Sequence, residues 1–330
     1  MRPRFHPRLV NGPFEDPGLF IPFLFEKRAL LFDLGDIHRL APRDILKLTH
    51  IFISHTHMDH FIGFDHLLRL LLGREKKLWI YGPHGFLNNI EGKFAAYTWN
   101  LVNSYDHRLT INATEIRYNY LLKNTYHCSR QFKADTPAVS HPARPVIWDE
   151  PAFQIKHLIL DHELPCLGFC LEERFHINIC KSGLDKLGLA TGPWLSDFKS
   201  ALYHQEKSTD LFQPPTVQGL PAKKISLEQL RDTIAVITPG QKIAYITDTS
   251  YENAGDIIEF VKGADHLFIE AAFRNCHKEI AAEKKHLTAK QAGTLARKAR
   301  VKRFTIFHYS PRYSDEAHLL EEEANQAFLG

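Results

Sequence analysis

Apolar and polar positions change period along this chain, and the changes mark its elements. Leu19–Phe25 and Ala29–Asp33 are short apolar runs separated by Glu26-Lys27-Arg28, which predicts a β-hairpin. His50–Ser54 is a third β-rich run. From Phe61 to Leu72 the apolar residues fall at 61, 62, 64, 67, 68, 71 and 72, the spacing of one helical face. Leu78–Tyr81 predicts a strand closed by Gly82-Pro83, and Ile111–Tyr118 and Gln154–Leu160 predict two more. Phe132–Pro151 is rich in proline and reads as loop. Ile179–His204 reads as helical, interrupted at Gly192-Pro193, and the Pro-rich Thr209–Pro221 as a connecting loop.

The second half alternates. Ile243–Thr247 and Leu267–Ala271 are strand-like and end at Asp248 and near Glu270. Leu287–Arg300 predicts a helix with Thr288 as N-cap. Phe304–Phe307 predicts a last strand that stops at His308. Ser314–Phe328 predicts a closing helix capped by Ser314. Periodicity alone supports an α/β or α+β class, with strands first in blocks and then alternating with helices.

Composition narrows the class. The chain has 330 residues, 44% of them hydrophobic, enough for a sizeable core. No run of about 18 apolar residues occurs, so no membrane span is expected, and the start lacks the apolar stretch of a signal peptide. The expectation is a cytoplasmic protein. The five cysteines form no Cys-x-x-Cys pair, so free thiols are expected. Net charge is only +3, yet Ala271–Arg303 carries ten Lys/Arg against two Asp/Glu, a field of +8 that suits a phosphate backbone or a solvated helix face.

The 20 histidines matter only where they take ligand spacing. They do so in His55-Thr56-His57-Met58-Asp59-His60. Alternate residues of an extended segment point the same way, so His55 and His57 can approach one ion together. Asp59 and His60, where the chain turns into a helix, can serve a second. Two-metal hydrolases hold their ions about 3.5–4 Å apart. Imidazole and carboxylate without thiolate suit zinc, and also manganese or iron(II). Three further candidates sit at strand ends: His162, Asp248 and His308. His66, His84, His127, His141 and His157 read as ordinary histidines.

These residues resemble the metallo-β-lactamase superfamily, and within it the ribonuclease Z family. His-x-His-x-Asp-His is the superfamily signature. His162-x-x-Pro165-x-x-Gly168-Phe169, Asp248-Thr249, Glu270-Ala-Ala-Phe273, His286-Leu-Thr288 and His308-Tyr-Ser-Pro-Arg-Tyr313 resemble the family's later motifs in order. Gly192-Pro193-Trp194 resembles the motif of its tRNA-gripping arm. The family's Phe-Asp-x-Gly-Glu-Gly-Thr-Gln stands here as Phe32-Asp-Leu-Gly-Asp-Ile-His-Arg39.

The resemblance implies a single domain over 1–330, an αββα four-layer sandwich of two mixed sheets between helices, with 172–221 as an arm-like insertion. It implies one zinc on His55, His57 and His162, another on Asp59, His60 and His308, and Asp248 bridging them; Mn2+ is the alternative metal. Asp59 would handle the attacking water. His286 would protonate the leaving oxygen, held by Glu270. Asp33 would make hydrogen bonds behind the metal loops, and Arg312 would contact a phosphate. The implied activity is hydrolysis of a phosphodiester at the 3′ side of precursor tRNA, by a homodimer. A small or cyclic-nucleotide phosphodiesterase, and a non-catalytic metal- or RNA-binding relative, are the competing readings.

Overall fold

The structure is a computed structural model that describes residues 3–24, 26–102, 108–141, 145–205, 207, 209–219 and 223–330. Residues 142–144 of the expected loop, and 206, 208, 220 and 221 of the expected insertion and its connecting loop, lie outside these.

Eight strands form the first sheet in chain order: β1 (Arg8–Leu9), β2 (Leu19–Pro22), β3 (Ala29–Phe32), β4 (Leu48–Phe52), β5 (Lys76–Gly82), β6 (Leu109–Ile116), β7 (Leu121–His127) and β8 (Ala138–Ser140). The predicted hairpin is β2–β3, with Leu19 opposite Phe32. β3 to β6 run parallel, and β7 and β8 return antiparallel. Alternation assigns the two faces. Leu31, Ile51, Ile53, Leu78 and Ile80 pack in one core with Phe64, Leu67, Leu68 and Leu71 of the helix Phe64–Leu71. Phe32, Phe52 and Tyr81 point the other way.

The second sheet contains β9 (Val146–Asp149), β10 (Phe153–His162) and β11 (Leu164–Glu173). Between β11 and its remaining strands come β12 (Phe175–Ile179), β13 (Leu211–Phe212), β14 (Ile225–Ser226) and β15 (Ala235–Pro239), paired as β12–β15 and β13–β14. β16 (Lys242–Ile246), β17 (His266–Glu270) and β18 (Phe304–Phe307) complete the sheet in the order β18-β17-β16-β11-β10-β9. β16, β17 and β18 are parallel and in register at their C-terminal ends, Ile246 beside Ile269 and Glu270 beside Phe307.

The chain divides into two compact units. The larger holds Phe5–Ile147, Ile155–Leu171 and Lys242–Gly330. Within it Phe169 and Tyr245 of the second sheet meet Phe32 at 5.4 and 5.9 Å between ring centroids, so the two sheets face each other across an aromatic seam. Each such ring, fully buried, contributes about 1.5–3 kcal/mol. The other face of the second sheet packs Ala244, Leu267 and Ile269 with Ile257, Leu295 and Leu320 of three helices. The layers are therefore helix, sheet, sheet, helix. The smaller unit holds Trp148–Gln154 and Glu172–Gln241, with residues up to Arg4. Its own core is Leu184, Phe198, Leu227, Leu230 and Ile234, carried by the helices Lys181–Leu187, Trp194–Tyr203 and Leu227–Ile234. The break at Gly192-Pro193 falls where the sequence placed it.

Three expectations need correction. The predicted Phe61–Leu72 helix is two, Met58–Phe61 and Phe64–Leu71, because the loop after β3 packs directly on Gly63. Phe132–Pro151 contains the short edge strands β8 and β9, positions where proline is tolerated nearby. The closing helix runs Ala317–Leu329 with no side-chain cap, since Pro311–Tyr313 first makes a 3-10 turn capped by Ser310. Thr288 does cap its helix, reciprocated by Gln291. Among the described residues no helix is long and apolar enough to cross a membrane.

Gly63 and Gly35 let the metal loop and the loop after β3 touch backbone to backbone. A Cβ on Gly63 would stand 2.1 Å from the Gly35 carbonyl oxygen, and one on Gly35 2.4 Å from that of Asp59. Gly63→Ala is expected to destabilise the protein by about 3 kcal/mol. Gly92→Ala, in open space within the helix Phe86–Ala95, should stabilise it by about 0.5–1 kcal/mol. Urea unfolding of the full chain measures both; an unchanged midpoint for Gly63→Ala would refute the close packing.

Candidate metal centre

The sequence-selected ligands come from the ends of four strands of the larger unit. β4 ends at Phe52 and delivers His55 and His57 on extended backbone, then Asp59 and His60 on the helical turn Met58–Phe61. His162 is the last residue of β10. Asp248 follows β16 and His308 follows β18. Ligand-capable atoms of His55, His57, His162 and Asp248 lie within 4.8 Å of one another, and so do those of Asp59, His60 and His308.

Hydrogen bonds fix the tautomers. His162 Nδ1 donates to the Lys285 carbonyl at 2.9 Å, and a carbonyl only accepts. His60 Nδ1 donates to Asp33 Oδ2 at 2.8 Å. Ser54 Oγ gives its proton to Asp33 Oδ2 and so accepts from His55 Nδ1 at 3.1 Å. With Nδ1 engaged behind, all three rings turn Nε2 inward, the orientation a metal ligand needs. Asp248 Oδ2 stands 3.6, 3.6 and 3.5 Å from the Nε2 atoms of His55, His60 and His162. Asp248 Oδ1 is 3.2 Å from His308 Nδ1, and Asp59 Oδ2 is 3.2 Å from His308 Nε2.

This geometry fits a divalent cation. Nε2 of His55 and of His60 and Nδ1 of His308 are buried and make no hydrogen bond among the described residues. Donors bonded at about 2.1 Å around a tetrahedral ion lie about 3.4 Å apart, which is the spacing found here rather than hydrogen-bond spacing. The protonation chemistry agrees. Burial pushes His55 down to about 2, reinforced by the His60 and His57 imidazoles against Asp248. Burial and His162 lower His57. Asp248 lies well below the usual carboxylate range: burial opposes this, but His308 and His60 outweigh it. Asp59 is lowered likewise, against burial, by His308 and His60. His60 is raised despite burial, because Asp248 and Asp33 flank it; a cation at Nε2 would take the place of that proton. Neutral imidazoles and ionised carboxylates are the forms that bind metal.

Glu270, the last residue of β17, is fully buried. Its Oε1 accepts from the backbone N–H of Thr249 and of Leu287, and its Oε2 lies 3.0 Å from His286 Nδ1. His286 lines a cleft of about 260 Å³ with Asp59 and His308, and also comes within ligand distance of Asp248 and His308. Burial disfavours its charged form, but the Glu270 carboxylate prevails and raises it to about 9. Arg312 is exposed in the turn after Ser310 and Pro311, which line the cleft; Lys284 is a lining residue too.

Sequence reasoning missed Ser54, Tyr245 and Cys166. Tyr245 OH donates to Asp33 Oδ2 from 212 residues away, with no local signal to reveal it. Ser54 adjoins the histidine cluster, which is the only clue the sequence offered. Cys166 Sγ is 3.7 Å from His55 Nδ1, and burial with Asp248 and Asp33 nearby pushes its thiol well up, away from the thiolate that binds metal.

A family model described as a β-lactamase superfamily domain matches residues 210–309. The chain is 30% identical to ribonuclease Z of Treponema pallidum over 311 residues, 92% of this chain and 84% of that one. It is 31% identical to ribonuclease Z of Bacteroides thetaiotaomicron over 283 residues, covering 84% and 74%. Among solved structures, the metallo-β-lactamase fold protein YhfI from Bacillus subtilis aligns with a TM-score of 0.55 at 16% identity over 98% of this chain and 95% of its own. The short form of human tRNase Z aligns at 0.50 and 18% identity, over 94% and 93%. Those two likenesses give the fold, which is the metallo-β-lactamase sandwich built above. With the relatives matched across most of both lengths and a His/Asp cluster made for a divalent metal, this chain belongs to the ribonuclease Z family of metal-dependent hydrolases.

Proposed function

We propose that the protein is an endoribonuclease that holds two zinc ions and cuts precursor tRNA at its 3′ side. The observation that carries the reading is the Glu270–His286 pair beside the ligand groups: His286 shares its cleft with Asp59 and His308 and lies within ligand distance of Asp248. A metal store needs no proton donor beside its ligands. Matched relatives named ribonuclease Z support the choice of RNA.

His55, His57 and His162 would hold one ion, and Asp59, His60 and His308 the other, with Asp248 reaching both. The nitrogen and oxygen donors also suit manganese. Two divalent cations there supply positive charge that makes water a nucleophile near neutral pH and offsets charge on the phosphoryl oxygens. Asp59, ionised and at the cleft wall, accepts a proton from the attacking water. The water oxygen bonds to phosphorus and the bond from phosphorus to the leaving oxygen breaks. His286 gives that oxygen its proton, and Glu270 holds the ring in place. Arg312 and Lys284 are the proposed phosphate contacts. In the run 271–303, all Lys and Arg except Arg274 and Lys285 are exposed, which suits further backbone contacts. Residues 172–221, within the smaller unit with its own core, are the proposed arm, and a homodimer the proposed assembly.

His286→Ala should keep its metal and lose about 10²–10⁴-fold in phosphodiester cleavage. Asp248→Ala should lose metal by elemental analysis. Metal loss in the first, or full occupancy in the second, would reverse the two roles.

The pH profile has a definite sign. His286 is raised, so it carries its proton below about pH 9 and loses it above. A step that needs the proton runs on a plateau below that pH and falls about tenfold per unit above it. Glu270→Gln removes the raising charge and should move the alkaline limb to lower pH. A limb that does not move would take Glu270 out of the mechanism.

The direct test is a zinc-loaded assay on precursor tRNA, bis-p-nitrophenyl phosphate and cyclic nucleotides at several salt concentrations. Preference for the tRNA with steep weakening by salt is expected. Turnover confined to the small substrates and indifferent to salt would sink the RNA reading.

A further inference from the structure

A second and larger cleft, of about 760 Å³, lies in the same unit as the metal centre. Its lining includes Tyr97, Trp99, His38, His66 and the aliphatic Ile62. The His38 and His66 rings lie 4.0 Å apart between centroids, and Tyr97 is 45% exposed. Asp16 lines this cleft and the metal cleft alike. One loop joins them. At its start Asp33 holds the His60 ring; three residues on, Asp36 N donates to Asp16 Oδ2 at 3.1 Å, and Asp36 Oδ1 accepts from His38 N at 2.8 Å. This is the segment in which the chain departs from the family's Gly-Glu-Gly-Thr-Gln.

Size and charge say what fits. Ligand pockets begin at about 300 Å³, so the 260 Å³ metal cleft takes a phosphodiester and little more. A nucleotide seated there must place its base outside. The neighbouring cleft is large enough and is walled by rings, on whose faces bases stack. Its carboxylates, Asp16, Asp36 and Asp65, outnumber its one Lys/Arg cation, Arg69. They repel a phosphate and accept hydrogen bonds from an exocyclic amino group.

We propose that this cleft is a nucleobase pocket that takes one unstacked base of the strand attached to the scissile phosphate, with Tyr97 as its exposed stacking surface. Its role in turnover rests on the phosphodiesterase reading above, but its occupancy does not.

The test is therefore equilibrium binding. The full zinc-loaded chain is titrated calorimetrically with 5′-CMP, 5′-AMP and ribose 5-phosphate, which share the phosphate and differ in the base. The nucleotides should bind about tenfold or more tighter. Trp99 is a poor probe, because its Nε1 donates to the Phe94 carbonyl and its ring packs on Phe132. Tyr97→Ala should cut the nucleotide preference severalfold, and the double variant Tyr97→Ala/His66→Ala should abolish it at an unchanged thermal midpoint. Tyr97→Phe should keep it. Equal affinity for ribose 5-phosphate, or a preference that survives the double variant, overturns the pocket. Hydrolysis of bis-p-nitrophenyl phosphate by the unaltered chain reports separately on the phosphodiesterase reading: nucleotide binding without hydrolysis would defeat that reading and leave the pocket standing.

Discussion

Two rings of the metal centre, and the tie between the sheets beneath it, hang on the carboxylate of Asp33. It is fully buried, a costly place for a charge unless every lone pair is used. Here four donors meet it: the Ser54 backbone N–H, Ser54 Oγ, His60 Nδ1 and Tyr245 OH. Ser54 follows β4 of the first sheet and Tyr245 lies in β16 of the second, so one side chain ties both sheets. The same side chain sets the His60 ring and, through Ser54, that of His55. Hydrogen bonds to a charged acceptor are about twice as strong as neutral ones, and a broken one here would leave a buried charge.

The backbone around that anchor is strained where it counts. Asp33, Glu163, Lys285 and His308 all adopt left-handed backbone, with φ between 52° and 60°. Residues other than glycine pay roughly 1–3 kcal/mol for such conformations. Asp33 anchors His60, Glu163 follows His162, the Lys285 carbonyl orients His162, and His308 is itself a ligand candidate. Directly after β3, β10 and β18, and after the helix Lys278–Glu283, these residues turn the chain sharply where the segments converge. Packing of the sheets against each other and against the helices offsets the strain.

Legibility in the sequence follows the range of the interactions. The histidine cluster was legible because its members are local and their spacing is itself the geometry. His162, Asp248 and His308 were legible as polar residues ending apolar strands. The Thr288 cap was legible because a capping box spans only four residues. Ser314 looked like a cap by the same rule, yet the turn at Pro311–Tyr313 delays the helix to Ala317. β7 escaped because buried Asn124 interrupts its apolar alternation. The hydrogen bond from Tyr245 to Asp33 crosses 212 residues, and no local pattern encodes it.

Three buried acids of one small region illustrate why residue type alone does not assign a role. Asp33 faces hydroxyl, amide and ring donors that all have a proton to give, so its charge is spent on structure. Asp248 faces the Nε2 atoms of three rings whose Nδ1 atoms are hydrogen-bonded on the far side. Its Oδ1 accepts from Thr247 Oγ1 at 2.9 Å while Oδ2 faces those rings, and its proposed role is to reach both ions. Glu270 has one oxygen occupied by two backbone N–H groups, which leaves the other for a single ring, that of His286. In the proposed mechanism that ring carries the proton, because its partner is fixed and shielded from water. The division of labour is set by which protons each carboxylate meets, and those protons are placed by neighbours one layer further out. A substitution at Ser54, whose hydroxyl meets both Asp33 and His55, would thus act on the site without removing a ligand candidate.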